Sequence, residues 1–383
     1  MRLSYEILIN FATVFQILFF VAAIGLIPRF HRPGLVPLFA VALTFLVGKG
    51  NDLWQQTGLF LQYPDWVLGG SLFTLLLGPF IYLYVRARTE GEAGFRPIHM
   101  AHTAWILLPA IYLAKNWWSL DTAAKISFLT SGGFDNLTTL VLIPVYFDGI
   151  LILYLMVSVA KLRSHGIRLQ YWFSNIEDRN LSGIRYLLTM FAAMVVIHLL
   201  WTLGRYFLWD GMMSTWVVNV LVTYHLVLVN GLFLEFLTYP YSVEDRNEPS
   251  IPGLQESSRP PAGLSADEQE RLLGRLADLM EDEKPYLNPN LTVADLAKRL
   301  RVHARILSQL INYRHGCNFL EYINRHRIDH AKGELAHHPD KTILEVAYDS
   351  GFNSKSTFNT AFKRFVELTP TGFRKSLSGY RNR

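Results

Sequence analysis

Hydrophobic and polar positions divide this chain near residue 238. Ahead of that point lie seven apolar stretches, at about 5–28, 35–53, 66–85, 98–117, 137–160, 184–208 and 215–238. Each approaches the roughly 20 residues that a helix needs to cross a bilayer. Seven such runs in succession do not fit a soluble core. The second is the least clean, being interrupted by Lys49, Asn51 and Asp52. Beyond them, 239–264 holds Pro240, Pro249, Pro252, Pro260 and Pro261 among Ser, Glu and Arg, the composition of a flexible, partly extended tether. From 265 onward the period changes to the 3.6 of amphipathic helices. The pattern therefore predicts an all-α protein in three parts: a seven-helix transmembrane domain over 1–238, a proline-rich linker over 239–264, and a helical domain over 265–383.

Within the last part, Ser265 and Glu268 have capping-box spacing. They open a helix whose leucines, Leu272, Leu273, Leu276 and Leu279, are too few for a coiled coil and read as packing on the domain that follows. Two similar units come next, at about 292–314 and 342–365. Leu296-Ala297 is repeated as Val346-Ala347 at an offset of 50, and Leu307 as Phe358 at 51. In the second unit Ile343, Val346 and Ala347 share a face, as do Phe358, Ala361 and Phe362, with Gly351 between them where a turn needs positive φ. The outward positions of the second helix of each unit are Arg305, Ser308, Gln309 and Asn312, then Lys355, Ser356, Asn359, Thr360 and Lys363. These are short polar and cationic groups suited to phosphates and base edges. Between the units, 318–337 reads as one helix of about 30 Å, close to the roughly 34 Å that separates successive major grooves on one face of DNA.

The run from Ile343 to Arg374, through Gly351, Phe352, Ser354, Phe358, Phe362, Lys363, Thr369, Pro370 and Phe373, resembles the signature of the AraC/XylS family of bacterial transcription activators. The resemblance reaches back to Leu291 and includes the Asn-Phe-x-x-Tyr-Ile-Asn-x-x-Arg run from Asn318 to Arg327. It implies two helix-turn-helix units joined by a long helix, with operator DNA and RNA polymerase as partners and a homodimer as a common state. Three positions depart from the family pattern. Arg301 and Glu367 stand where glycine is usual, and His303 where a serine cap is usual. A left-handed arginine at the first turn would cost about 1 kcal/mol.

Charge agrees with this reading. From Val293 to Arg383 there are sixteen basic and eight acidic residues, a net +8 suited to a polyanion. In the apolar part, the first, third and fifth loops carry ten Lys and Arg against four on the other side. The bias predicts a multi-pass protein of the bacterial inner membrane, N-terminus outside and C-terminal domain in the cytoplasm. No small-residue cleavage site follows Pro28, so no signal peptide is expected. Pro79, Pro109 and Pro144 fall within expected spans as candidate kinks. Trp66, Trp117, Trp118, Trp209, Trp216, Tyr239 and Tyr241 read as interfacial anchors, whereas Trp54 and Trp201 lie deeper.

Ionisable residues inside the spans should face the bundle interior and have partners. Asp52, Asp148, His198 and His225 form the candidate site for an unknown small-molecule or membrane signal; interhelical hydrogen bonding is the alternative. Lys49 and Asp52, three apart, suit a pair on one face. Glu235 and Arg205, near span ends, read as interfacial. Cys317, the one cysteine, allows no intramolecular disulfide and no cysteine zinc site. The chain has no H-E-x-x-H, G-x-S-x-G or P-loop, so no catalytic residue, metal or cofactor is assigned. A membrane-anchored, sequence-specific transcription regulator with a sensing bundle follows; the alternative is a transporter or enzyme carrying a regulatory DNA-binding tail.

Overall fold

The computed structural model describes residues 4–26, 35–90, 97–131, 141–176, 181–207, 211–237, 260–261 and 263–381. Most of the proline-rich stretch lies outside them, as do Trp209, Tyr239, Tyr241, Arg29, Arg32, Arg96 and Arg179. Among the described residues regular structure is helical, with one isolated bridge between Phe173 and Thr292 and no strand. The chain forms two compact units, one of 1–163 with 181–246, the other of 164–180 with 247–383.

The first unit contains α1 (Tyr5–Leu26), α2 (Val36–Gln56), α3 (Trp66–Thr74), α4 (Leu77–Glu90), α5 (Leu107–Leu113), α6 (Thr122–Thr130), most of α7 (Ile143–Trp172), α8 (Ser182–Phe207) and α9 (Gly211–Leu237). Among the described residues six helices are long and apolar enough to cross a membrane, α3 and α4 together counting as one. The expected seventh, 98–117, is composite: a 3-10 helix over Pro97–Ile106, then α5, then a π-helical turn over Ala114–Trp118. The six long helices are predominantly apolar along their length. Ile17 and Phe20 of α1 are buried with Phe45, Ile81, Phe191 and Leu228, while Phe11, Phe15 and Phe19 of the same helix are exposed.

The three prolines, the candidate kinks, each stand where the winding changes and a new α-helix begins. Pro79 and Pro109 are third residues of α4 and α5, and Pro144 is the second of α7. The first turn has no use for the missing N–H. Two other expectations change. Trp117 is buried, edge-on to Phe128. Glu235 is buried too: its Oε1 accepts from Tyr84 Oη at 2.8 Å and Arg88 Nη1 at 3.1 Å. A carboxylate at that depth is compatible with folding because a cation and a hydroxyl satisfy it.

The second unit contains the end of α7, then α10 (Ala266–Asp282), α11 (Val293–Leu300), α12 (Ala304–His315), α13 (Phe319–His337), α14 (Ile343–Asp349), α15 (Lys355–Val366) and α16 (Pro370–Arg381). It has two cores. Leu272, Leu276 and Met280 of α10 pack with Val293, Leu296, Leu307, Leu310 and Ile311, so the leucine stripe is used inside the chain. Val346, Ala347, Phe352, Phe358 and Phe362 make the other core. One helix belongs to both. The N-terminal half of α13 gives Phe319, Tyr322 and Ile323 to the first core, and its C-terminal half gives Ile328, Ala331 and Leu335 to the second.

Candidate nucleic-acid interface and buried cavity

Two helix-turn-helix units are built by the same local devices. Thr292 caps α11: its Oγ1 accepts from Asp295 N at 3.2 Å, while Asp295 Oδ2 accepts from Thr292 N at 2.8 Å. Thr342 and Glu345 repeat this reciprocal box on α14, at 3.1 and 2.7 Å. Each box satisfies amides that the first turn leaves unpaired. The turns match as well. Arg301 N donates to Lys298 O and Val302 N to Ala297 O; fifty residues on, Gly351 N donates to Tyr348 O and Phe352 N to Ala347 O. This is the same helix-ending motif, with its left-handed residue at 301 and 351. Arg301 takes φ 54°, Gly351 φ 83°. Glu367 likewise ends α15 at φ 63°.

The two recognition helices start differently. Ser354 Oγ accepts from Thr357 N at 3.2 Å and caps α15, whereas His303 makes no side-chain cap for α12. Asn318 caps the joining helix through Glu321 N at 2.9 Å. That helix is 19 residues long, about 28 Å. On α15, Lys355, Ser356, Thr360 and Lys363 are exposed and Asn359 is half-buried. With Thr369 and Pro370, four of these five line a groove of about 510 Å³.

The family described as "Helix-turn-helix domain" matches residues 296–376, the span of this paired architecture. Residues 296–376 are an AraC-type helix-turn-helix domain. The chain is 30% identical over 110 residues to YesN of Bacillus subtilis, described as an uncharacterized transcriptional regulatory protein; the match covers 28% of this chain and 29% of YesN. It is 31% identical over 85 residues to the melibiose operon regulatory protein of Escherichia coli, covering 22% of this chain and 28% of that one. An uncharacterized HTH-type transcriptional regulator of Staphylococcus aureus is 30% identical over 89 residues, 23% of this chain and 12% of the relative. The chain thus spans under a third of the length of each of these relatives. No solved structure matches it.

In the AraC-type domain the α12 face departs from the α15 face. Arg305 is exposed and Gln309 half-buried, but Ser308 is only 8% exposed. The cover comes from the end of α7. Ser308 Oγ donates to Tyr171 O at 3.2 Å, and Asn312 Nδ2 to Tyr171 Oη at 3.5 Å. Behind Tyr171, Trp172 is buried in the first core, and Ser174 N donates to Leu291 O at 3.1 Å beside the Phe173–Thr292 bridge. Arg327 completes the attachment. Its guanidinium donates to Ser174 O at 2.9 Å, Tyr286 O at 2.7 Å and Asn288 O at 2.8 Å. It is 1% exposed, and burial pulls it down to about 9, still cationic at neutral pH. It does not belong to the domain's exposed charge. Other cations there also have acids: Lys341 bonds Glu334 and Asp349, and Arg364 bonds Glu321.

The apolar pattern leaves 164–180 within the fifth loop. Its signal was Tyr171-Trp172-Phe173, three aromatics in a row at the edge of a polar connection, a pattern that asks for a partner surface.

The candidate signal residues in the first unit line one cavity of about 420 Å³. Asp148, His198, His225 and Asp52 all border it, with Lys49, Asn10, Gln55 and Trp201; Trp54 does not. His198 Nδ1 is 2.8 Å from Asp148 Oδ2 and its ring stacks on Trp201. Lys49 Nζ donates to Asp52 Oδ2 at 2.7 Å, the pairing that their spacing suggests. His225 Nδ1 lies 2.8 Å from Leu221 O, which leaves Nε2 as the ring's other polar atom. Arg205 lies over Trp201 at 5.5 Å. Among the described residues no cluster of three or more His, Cys, Asp or Glu is arranged for a metal.

Proposed function

We propose that this chain is a multi-pass membrane protein whose C-terminal domain binds specific operator DNA and regulates transcription. The observation that carries the reading is the pair of recognition helices, α12 and α15, with polar and cationic faces and one helix joining their cores. A joining helix of about 28 Å suits two helices reading successive turns of one duplex. The names of the matched relatives, transcriptional regulators among them, support the same conclusion. Six long apolar helices with exposed Phe and Leu faces support insertion in the inner membrane. With Pro97–Trp118 as a seventh crossing, the Lys and Arg bias leaves the N-terminus outside and the DNA-binding part in the cytoplasm.

The cavity around Asp148, His198 and His225 is the site we assign to a signal, because it gathers paired ionisable groups within an apolar bundle. A homodimer on a palindromic operator and contact with RNA polymerase complete the proposal.

The test is selection from a random duplex library by the full chain in detergent, followed by footprinting. The expected product is a motif with half-sites about one helical turn, roughly 34 Å, apart. Lys355→Ala should weaken the half-site read by α15, and Arg305→Ala the other. Binding that was only salt-sensitive and blind to sequence would end the claim. For the cavity, His198→Ala with normal insertion but altered target expression would support sensing; unchanged expression would leave the bundle a passive anchor.

A further inference from the structure

We propose that Gln170 and Tyr171, at the end of α7, are a built-in competitor for the first recognition helix, occupying Ser308 and Asn312 in place of DNA. The inference rests on the DNA-binding reading and adds an intramolecular occupant to one of its two helices.

The chemistry of the contact is that of a nucleic-acid mimic. A helix leaves its last carbonyls unpaired and carries partial negative charge at that end. Tyr171 O is one of those carbonyls, in the last turn of α7. It takes the hydroxyl proton of Ser308, which would otherwise be offered to a base edge or phosphate oxygen. The phenol of Tyr171 meets the amide of Asn312 in the same way, and Gln170 Oε1 accepts from Asn318 Nδ2 at 3.1 Å. A duplex and Tyr171 cannot hold Ser308 together, since the residue is already buried.

The attachment is graded along the segment. Its root is firm. Trp172 is in the core, Ser174 bonds Leu291 through both N and Oγ, and Arg327 clamps Ser174 from a buried position. Its tip rests on three hydrogen bonds of 3.1 to 3.5 Å, one of them to the Tyr171 main chain, and on partial packing of the Tyr171 ring against the first core. The last turn of α7 can therefore fray at Gln170 and Tyr171 while Ser174 stays in the Arg327 clamp. On α15 the corresponding face is exposed. The domain as it stands offers DNA one open recognition helix and one partly covered, with Arg305 exposed but Ser308 and Asn312 taken by Tyr171.

The experiment uses the full chain in nanodiscs of phosphatidylethanolamine and phosphatidylglycerol, with a two-half-site operator from the selection. Tyr171→Ala removes the phenol from Asn312 and the ring packing that holds the end of α7 over Ser308, and leaves the residue-171 carbonyl, Trp172 and Ser174. The expected result is protection gained over the α12 half-site and operator affinity raised by about tenfold, as when a mostly masked state becomes competent. Protection over the α15 half-site stays constant. Tyr171→Phe, which keeps the ring, gives a smaller gain. A readout without DNA accompanies these. Ser308→Cys should react slowly with a maleimide and about ten times faster when combined with Tyr171→Ala, while Thr360→Cys on α15 reacts fast in both backgrounds. Unchanged α12 protection and unchanged labelling would overturn the inference. Loss of α12 protection in Tyr171→Ala would also overturn it, identifying the segment as a fixed brace. In both of those cases the α15 footprint persists and the DNA-binding reading stands. No sequence-specific footprint from either helix would remove that reading and this inference with it.

Discussion

The two recognition helices show how one local design acquires two states. α12 and α15 follow equivalent capping boxes and equivalent turns, and each buries one apolar face. Yet α15 presents Lys355, Ser356, Thr360 and Lys363 to solvent, whereas α12 has Ser308 covered by Tyr171, 137 residues away in sequence. The difference lies in what each unit's surroundings place on the finished face. Periodicity along a helix determines which residues point outward. It does not determine what, in a folded chain, lies against them.

The largest way to separate the halves is through their cores. Phe358 is fully buried, edge-on to Phe352 at 5.3 Å and Phe362 at 5.5 Å. Phe358→Ala should cost roughly 3–5 kcal/mol. Hydrogen exchange is the measurement: amides of α14 and α15 should lose protection far more than those of α11 and α12. Equal loss would mean that α13 makes the two cores one cooperative unit.

The turn residues differ in the opposite sense. A Cβ on Gly351 would lie 2.5 Å from Tyr286 O and 2.9 Å from Leu287 O, at φ 83°. Gly351→Ala should therefore destabilise by about 2 kcal/mol or more, through strain and a backbone clash. Arg301 already holds a left-handed conformation, so Arg301→Gly should stabilise by up to about 1 kcal/mol. Denaturant midpoints of both variants check the pair. A destabilised Arg301→Gly would mean that the arginine side chain contributes more than its backbone costs.

Acid should act more gently, and unevenly. Burial holds His315, His326 and His330 below the ordinary imidazole range, assisted at His315 by Arg325 and Arg314. Nearby Asp329 opposes the shift at His326, and Glu334 and Asp349 oppose it at His330, without reversing it. A depressed value means that the unfolded chain binds more protons. Stability is then fully present above the ordinary value of 6.5 and declines as pH falls through the folded-state values. His315 and His326 both pack their rings against Tyr322 in the first half, tilted and edge-on, so the α12 side should loosen first on titration from pH 7 toward 5. Stability that rose on acidification would contradict the assignment.

Most of the helical plan was legible. Apolar spacing marks the helices of the second unit, and the offset of 50 is realised atom for atom in the two turns. Arg301 and Glu367 stand out because they replace glycine where φ must be positive, and both are left-handed. What escaped depends on long-range pairing. Arg327 counts as surface charge in any tally, yet three carbonyls from distant segments draw it inside. Glu235 reads as interfacial until Arg88 and Tyr84 come alongside. The stretch 98–117 has the apolarity of a span, but hydropathy does not register its change from 3-10 to α to π winding. Asp148 and His198 are fifty residues apart, and only folding brings them within 2.8 Å.

The grip of Arg327 on Ser174 bears on covalent connectivity. A proline-rich stretch following a bundle of long apolar helices invites the idea that a protease releases the helix-turn-helix part by cutting there. In this chain the domain is assembled from two separate lengths of polypeptide, and one of them, 164–180, lies upstream of α8 and α9. A single nick at 239–259 would leave Trp172 in the core and Ser174 in the guanidinium clamp, so the cleaved halves would stay together. Liberation would take two further breaks, one on each side of 164–180, or withdrawal of a buried tryptophan, and the domain is in that sense tied at three points.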